Sequence, residues 1–225
     1  TEQLLQPHEI VQRKQKPGSQ DVIVPLVRKL AGKGEQVLIF RNKKGSSSGC
    51  ANYLADELGL PAATEVLGEL PDQDLSAAST ALRRALHGGT AFHTSDLSRE
   101  ERVVVERAFR DRGGPIRAIA ATSTVAAGVN TPVETVIIVE TEFPGRPPEP
   151  YTVAVYKNMA GLAGRLGLAA QGRSILLAGD GIERARLFAH YVRGRPEPIR
   201  SSFDPNELDT WILRLLAQVK EVPRD

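Results

Sequence analysis

Five short apolar runs constrain this chain more than any other feature: Gln36–Phe40, Thr90–Thr94, Ile116–Ala121, Thr135–Glu140 and Ser174–Ala178. The most apolar of them show no polar alternation, as in strands that bury both faces. Helical spacing fills the intervals. Asp21–Gly32 carries Val22, Val24, Leu26, Val27 and Leu30, with Pro25 in its first turn, and a second helix runs from about Ser47 to Gly59. A third spans Leu75–Leu86, and Ser98 with Glu101 makes a capping box ahead of Val105, Ala108 and Phe109. Tyr151–Leu162 and Ile182–Val192 complete the set. Such alternation predicts an α/β fold, a doubly wound, mostly parallel sheet with helices on both faces and right-handed crossovers. Pro61–Gly89 reads as an insertion on that sheet, and Phe143–Pro150 as a loop or short hairpin.

Parallel sheets bind ligands beyond the carboxyl ends of their strands, which directs attention to three loops. Ala121–Pro132, ATSTVAAGVNTP, offers hydroxyls, an amide and free N–H groups with little side-chain bulk. It is either a phosphate or sugar contact loop or an ordinary strand-to-helix turn. Arg41–Ser48, RNKKGSSS, is either a phosphate-binding loop or a solvated basic one. Gly161–Gly167, GLAGRLG, sets Arg165 between small residues and is expected at the same sheet edge, reached through a helix. The dinucleotide spacing G-x-G-x-x-G with its following acid does not occur, and neither does G-x-x-x-x-G-K-[ST]. A nucleotide on this sheet would therefore be handled without its usual phosphate cradle.

Other chemistry-bearing residues read as structural. His93 stands alone at a strand end, Cys50 falls on the apolar face of a helix, and Glu140 and Glu142 have no second carboxylate to work with. No His, Cys or carboxylate group has metal-ligand spacing. A net charge of +2 is too small to imply a nucleic-acid partner. The single cysteine fits a reducing compartment, for which the cytoplasm is the expectation. No apolar run approaches the roughly 20 residues of a membrane span. With Thr1 first and Met159 its only methionine, the chain reads as a piece of something longer.

In order, VLIFRNKK, GTAFHTSDLSREERVVVERAF, IAATSTVAAGVNTP and YKNMAGLAGRLG resemble the second RecA-like domain of superfamily 2 helicases. The resemblance is to the Ski-like and archaeal Holliday-junction-type repair branch, and covers roughly Val22–Arg200. It implies a linker over residues 1–20 from a missing first motor domain, a motor domain over 21–200, and over 201–225 the first helix of a winged-helix domain. In that family ATP with Mg²⁺ lies between two motor domains, held mainly by the first, and single-stranded DNA or RNA crosses both. Asn42 and Lys43 would then meet backbone phosphates, as would Thr122. Gly128 and Asn130 would lie against the nucleotide with Gly161 and Gly164, and Arg165 would be the arginine finger. Two positions depart from the pattern: Asn158 stands where the family has glutamine, and Leu162 where it has a first arginine. The implied function is the C-terminal motor of an ATP-dependent helicase or translocase, inactive as an isolated fragment. A second reading keeps the fold as a non-catalytic nucleic-acid or partner-binding module.

Overall fold

The computed structural model describes residues 4–13, 15, 18–73, 75–123, 133–164, 172–198 and 208–218, with side chains up to residue 213. Its elements are α1 (Gln20–Ala31), β1 (Val37–Arg41), α2 (Lys44–Leu58), α3 (Thr64–Glu69), α4 (Ala77–Leu86), β2 (Thr90–His93), α5 (Arg99–Arg110) and β3 (Ala118–Thr122). Then follow β4 (Thr135–Ile138), β5 (Glu142–Phe143), β6 (Glu149–Pro150), α6 (Val153–Ala160), β7 (Arg173–Leu176), α7 (Gly181–Leu187) and α8 (Leu208–Gln218). After α7 the chain continues in a wider turn over Phe188–Val192.

Five strands pair in parallel in the order β2-β3-β1-β4-β7, and β5 and β6 form a separate antiparallel hairpin. The expected doubly wound parallel sheet is thus present. Strand order decides where the chain can open a crevice. From β1 the chain travels past β3 to β2, whereas from β3 it travels back past β1 to β4. The neighbours β1 and β3 therefore send their connections in opposite directions, the arrangement that leaves a crevice at their carboxyl ends. Registers Phe40↔Ala121 and Arg41↔Thr122 put those ends side by side.

The central strands owe their place to composition. Val37, Leu38, Ile39 and Phe40 are buried, as are Val136, Ile137 and Ile138 of β4, because helices cover both faces of a parallel sheet. In α5, Val105 and Phe109 face inward one turn apart. The Ser98–Glu101 capping box forms in both directions, Glu101 N–H to Ser98 Oγ at 3.1 Å and Ser98 N–H to Glu101 Oε2 at 2.8 Å. Ser98→Ala should therefore cost about 1 kcal/mol of unfolding free energy in a urea titration.

Three local expectations change. Helix α2 begins at Lys44 rather than Ser47, so Gly45 and the serines occupy its first turns and not a loop. Ser47 and Ser48 spend their hydroxyls on the carbonyls of Lys43 and Gly45, at 3.2 Å each, the local bonding that makes Ser compatible with helix starts. Pro25 lies in the second turn of α1. Its missing N–H would leave the Asp21 carbonyl unpaired, and the Arg13 guanidinium donates to that oxygen instead at 3.4 Å. Finally, Pro61–Gly89 is no peripheral insertion: Leu82, Ala85 and Leu86 of α4 are fully buried, and α4 packs on α2 and β2.

Candidate functional site

At the carboxyl edge the basic loop separates into groups with different tasks. Arg41, the last residue of β1, pairs with Glu140 just beyond β4: Nη2 lies 2.8 Å from Oε1, and Nε lies 3.0 and 3.2 Å from the two oxygens. Burial opposes the guanidinium's charge, but its bonds to Glu140 outweigh that and hold its pKa above the ordinary value. Glu140 Oε2 also accepts the Asn42 N–H at 3.1 Å. One carboxylate thus fastens the exits of β1 and β4 together. Lys44 is drawn off by Asp96 at 2.6 Å. That leaves Lys43, exposed and without an ion-pair partner among the described residues.

Lys43 is also the N-cap residue of α2, in an extended conformation (φ −128°, ψ 145°) and making no side-chain cap. The first helical bond is Ser47 N–H to the Lys43 carbonyl, so N–H groups of the first turn have no helical acceptor. Positive dipole, open donors and a free ammonium coincide there, which is what a phosphate requires. Asn42, half-buried, precedes it, and Thr122 ends the neighbouring strand. Ser123 follows and hydrogen-bonds Tyr151, whose phenol is pushed up to about 12 by burial and the nearby Glu140. The structure therefore brings Asn42, Lys43 and Thr122 to one edge.

The described start of the third loop, residues 161–164, does not join them. Helix α6 crosses from β4 back toward β7, so its C-terminus reaches the amino edge of the sheet. There Val133 donates to the Leu162 carbonyl (3.3 Å), Gly164 donates to the Val133 carbonyl (2.8 Å), and Val133 and Ala163 form a parallel bridge. Gly161 and Gly164 thus lie at the end opposite Thr122, because a crossover helix runs antiparallel to its strands. The expectation of one shared carboxyl edge is corrected accordingly. Gly164 has φ +64°, and a Cβ on Gly172 would lie 2.3 Å from the Gly164 nitrogen. No side chain larger than hydrogen fits at Gly172. Gly128, Asn130 and Arg165 lie outside the described residues, but the residues flanking their segments, Val133 and Gly164, are bonded to each other.

The amino edge is held by a polar lattice without sequence signature. Glu134 accepts the Gln36 N–H at 3.0 Å, the Gln36 amide donates to the carbonyls of Phe109, Asp111 and Ile116, and Glu35 takes Thr135 Oγ1 at 2.7 Å and Arg173 at 3.1 Å. Leu162, the position where the resemblance has an arginine, is fully buried. Its side chain belongs to the core and not to a solvent-facing cleft. Asn158 is exposed on α6. His93 Nε2 sits 2.7 Å from Glu106 Oε1, a hydrogen-bonding partner within the fold rather than a substrate. Cys50 is buried 3.1 Å from the Tyr53 hydroxyl, with burial pushing its thiol up, which disfavours the nucleophilic thiolate. Among the described residues no group of His, Cys, Asp or Glu could hold a metal, and no helix is long and apolar enough to cross a membrane.

Residues 72–167 match the family model described as helicase conserved C-terminal domain. The chain carries a helicase C-terminal domain. It is 35% identical over 209 residues to the ATP-dependent DNA helicase Hel308 of Pyrobaculum calidifontis, covering 87% of this chain and 28% of that protein. To Hel308 of Methanocella arvoryzae it is 36% identical over 193 residues, covering 80% of this chain and 25% of the relative. To DNA polymerase theta of Mus musculus it is 32% identical over 223 residues, covering 90% of this chain and 8% of the relative. The chain therefore spans little more than a quarter of even the archaeal relatives. The helicase C-terminal domain has Asn42, Lys43 and Thr122 at one end of its sheet and Gly161 and Gly164 at the other.

Proposed function

We propose that this domain is the second motor half of an ATP-dependent translocase or helicase, gripping a nucleic-acid backbone at its carboxyl edge and completing an ATP site from its amino edge. The observation that carries the reading is the Val133 bridge to Leu162 and Gly164. The segment that leaves β3 at Thr122 re-enters the sheet at Val133, against the glycine loop that leads to Arg165. A shift of that segment on nucleic-acid binding would reach the nucleotide loop through two backbone hydrogen bonds.

Asn42, Lys43 and Thr122 serve as the grip. All three named relatives are DNA enzymes, and this favours single-stranded DNA over RNA as the ligand. For the nucleotide, the residues present fit a contributing role only. The sequence has no phosphate-cradling loop, while Gly161 and Gly164 put little side-chain bulk just ahead of Arg165 in the chain. ATP with Mg²⁺ would be bound mainly by a first motor domain, and its hydrolysis would supply the driving reaction. Gly161, Gly164, Gly128 and Asn130 would border it, and Arg165 would place charge on the γ-phosphate.

The test is ATP hydrolysis by the longer protein with and without single-stranded DNA: stimulation is expected. Salt-dependent DNA binding with no hydrolysis under any condition would instead establish the binding-module reading. For the grip, Lys43→Ala should weaken DNA binding equally across sequences and reduce the slope of log K against log salt by about 1. An unchanged slope would remove Lys43 from the interface.

A further inference from the structure

Beyond α7 the chain runs back along α6 and meets its start through a long-range contact. Glu197 lies 44 and 43 residues from the amides it binds: its Oε1 accepts the Val153 N–H at 2.8 Å and its Oε2 the Ala154 N–H at 3.1 Å. These are first-turn donors of α6, and Thr152 already caps that helix by accepting the Val155 N–H at 3.2 Å. Thr152 leaves the Val153 and Ala154 N–H groups without a helical acceptor, and a residue more than 40 positions along the chain takes both. Pro196 and Pro198 flank Glu197, and their fixed φ values stiffen the strap that presents it.

The same strap is fastened along α6 at further points. Lys157 Nζ donates to the Val192 carbonyl at 2.7 Å, and the rings of Tyr156 and Tyr191 lie 5.2 Å apart. The Tyr191 hydroxyl donates to the carbonyls of Thr141 and Tyr151, at 3.2 and 3.1 Å. At its far end α6 is bonded to Val133 through Leu162 and Gly164. An eight-residue helix of about 12 Å moves as one piece, so its two ends share any displacement.

We propose that Glu197 is a positioning residue that couples the segment leading toward α8 to the glycine loop at the other end of α6. The inference rests on the reading of Arg165 as the residue that meets the nucleotide. A shift of whatever follows residue 198 pulls on the start of α6 through Glu197 and alters the placement of Gly161–Gly164. Glu197 itself touches no nucleotide.

The test uses the longer protein with saturating single-stranded DNA. Glu197→Ala is expected to lower kcat for ATP hydrolysis between about twofold and thirtyfold, the range that loss of a helix cap allows, with KM for ATP and DNA affinity unchanged. Glu197→Gln, which keeps one acceptor, should fall between Glu197→Ala and the unsubstituted protein, and it carries the same comparison if the alanine variant does not fold. Inserting about six Gly and Ser residues between Arg200 and Ser201, a flexible spacer, should lower kcat similarly while leaving the Glu197 contact intact. A loss of kcat in the Glu197 variants without one in the insertion would reduce Glu197 to a local cap and overturn the coupling. Unchanged kcat in the Glu197 variants, alongside lost hydrolysis in Arg165→Ala, would overturn the inference and leave the function standing. Full hydrolysis in Arg165→Ala would remove the reading on which the inference depends.

Discussion

Arg165→Ala in the longer protein is expected to reduce DNA-stimulated ATP hydrolysis by about 10³-fold or more, with DNA affinity retained. Phosphoryl transfer draws its catalysis from positioning and from charge placed on the γ-phosphate, and an arginine supplied from a second domain is worth roughly 10³ to 10⁵ in related enzymes. The effect should be large here because the resemblance has two arginines where this chain has one. Leu162 occupies the other position and lies in the core, so no neighbouring guanidinium stands ready to compensate from that site. Arg165→Lys should recover little, since an ammonium lacks the planar fork of donors. Steady-state hydrolysis measured beside a salt titration of DNA binding separates the two roles. Near-normal turnover in Arg165→Ala would assign the glycine loop to structure alone.

The second large effect is at Leu162 itself. Sequence resemblance alone suggests that Leu162→Arg would restore a missing catalytic group. The structure predicts the opposite: the side chain is fully buried among apolar residues, and an uncompensated charge placed there should cost about 3 to 5 kcal/mol. For comparison, Leu162→Ala should cost about 2 to 5 kcal/mol through lost packing. Because Leu162 also provides the carbonyl that accepts from Val133, either change loosens the junction between the two loops. Denaturant unfolding of both variants, alongside hydrolysis, gives the answer. A folded Leu162→Arg protein with raised turnover would show that this position faces the nucleotide after all.

The Glu140–Arg41 pair explains why a run of four polar and basic residues yields so few ligand contacts. Read in sequence, Arg41, Asn42, Lys43 and Lys44 are equivalent donors. In the fold, Arg41 is held by Glu140, Lys44 by Asp96, and the Asn42 amide by the same Glu140. What remains is one ammonium at a helix start and the Asn42 side chain. Glu140, which has no catalytic partner in the sequence, contributes by fixing where the others point.

The amino-acid sequence by itself determined the elements and their order. Apolar runs such as VLIF and TVII cannot be satisfied except with both faces covered, Ser98 and Glu101 announce the start of α5, and the intervening helices force parallel strands. The same local logic exposed the small-residue loops where a ligand can approach backbone. What it could not supply was the relation between segments far apart in the chain. Arg41 and Glu140 are 99 residues apart, Glu197 and Val153 are 44 apart, and no periodicity spans such distances. Only the strand order β2-β3-β1-β4-β7 put Arg41 beside Thr122, and only the direction of α6 sent Gly161 and Gly164 to the edge opposite Thr122. The physical reason is that local sequence fixes backbone conformation and burial within a few residues, whereas register and crossover direction are chosen by the sheet as a whole, when its buried faces are packed.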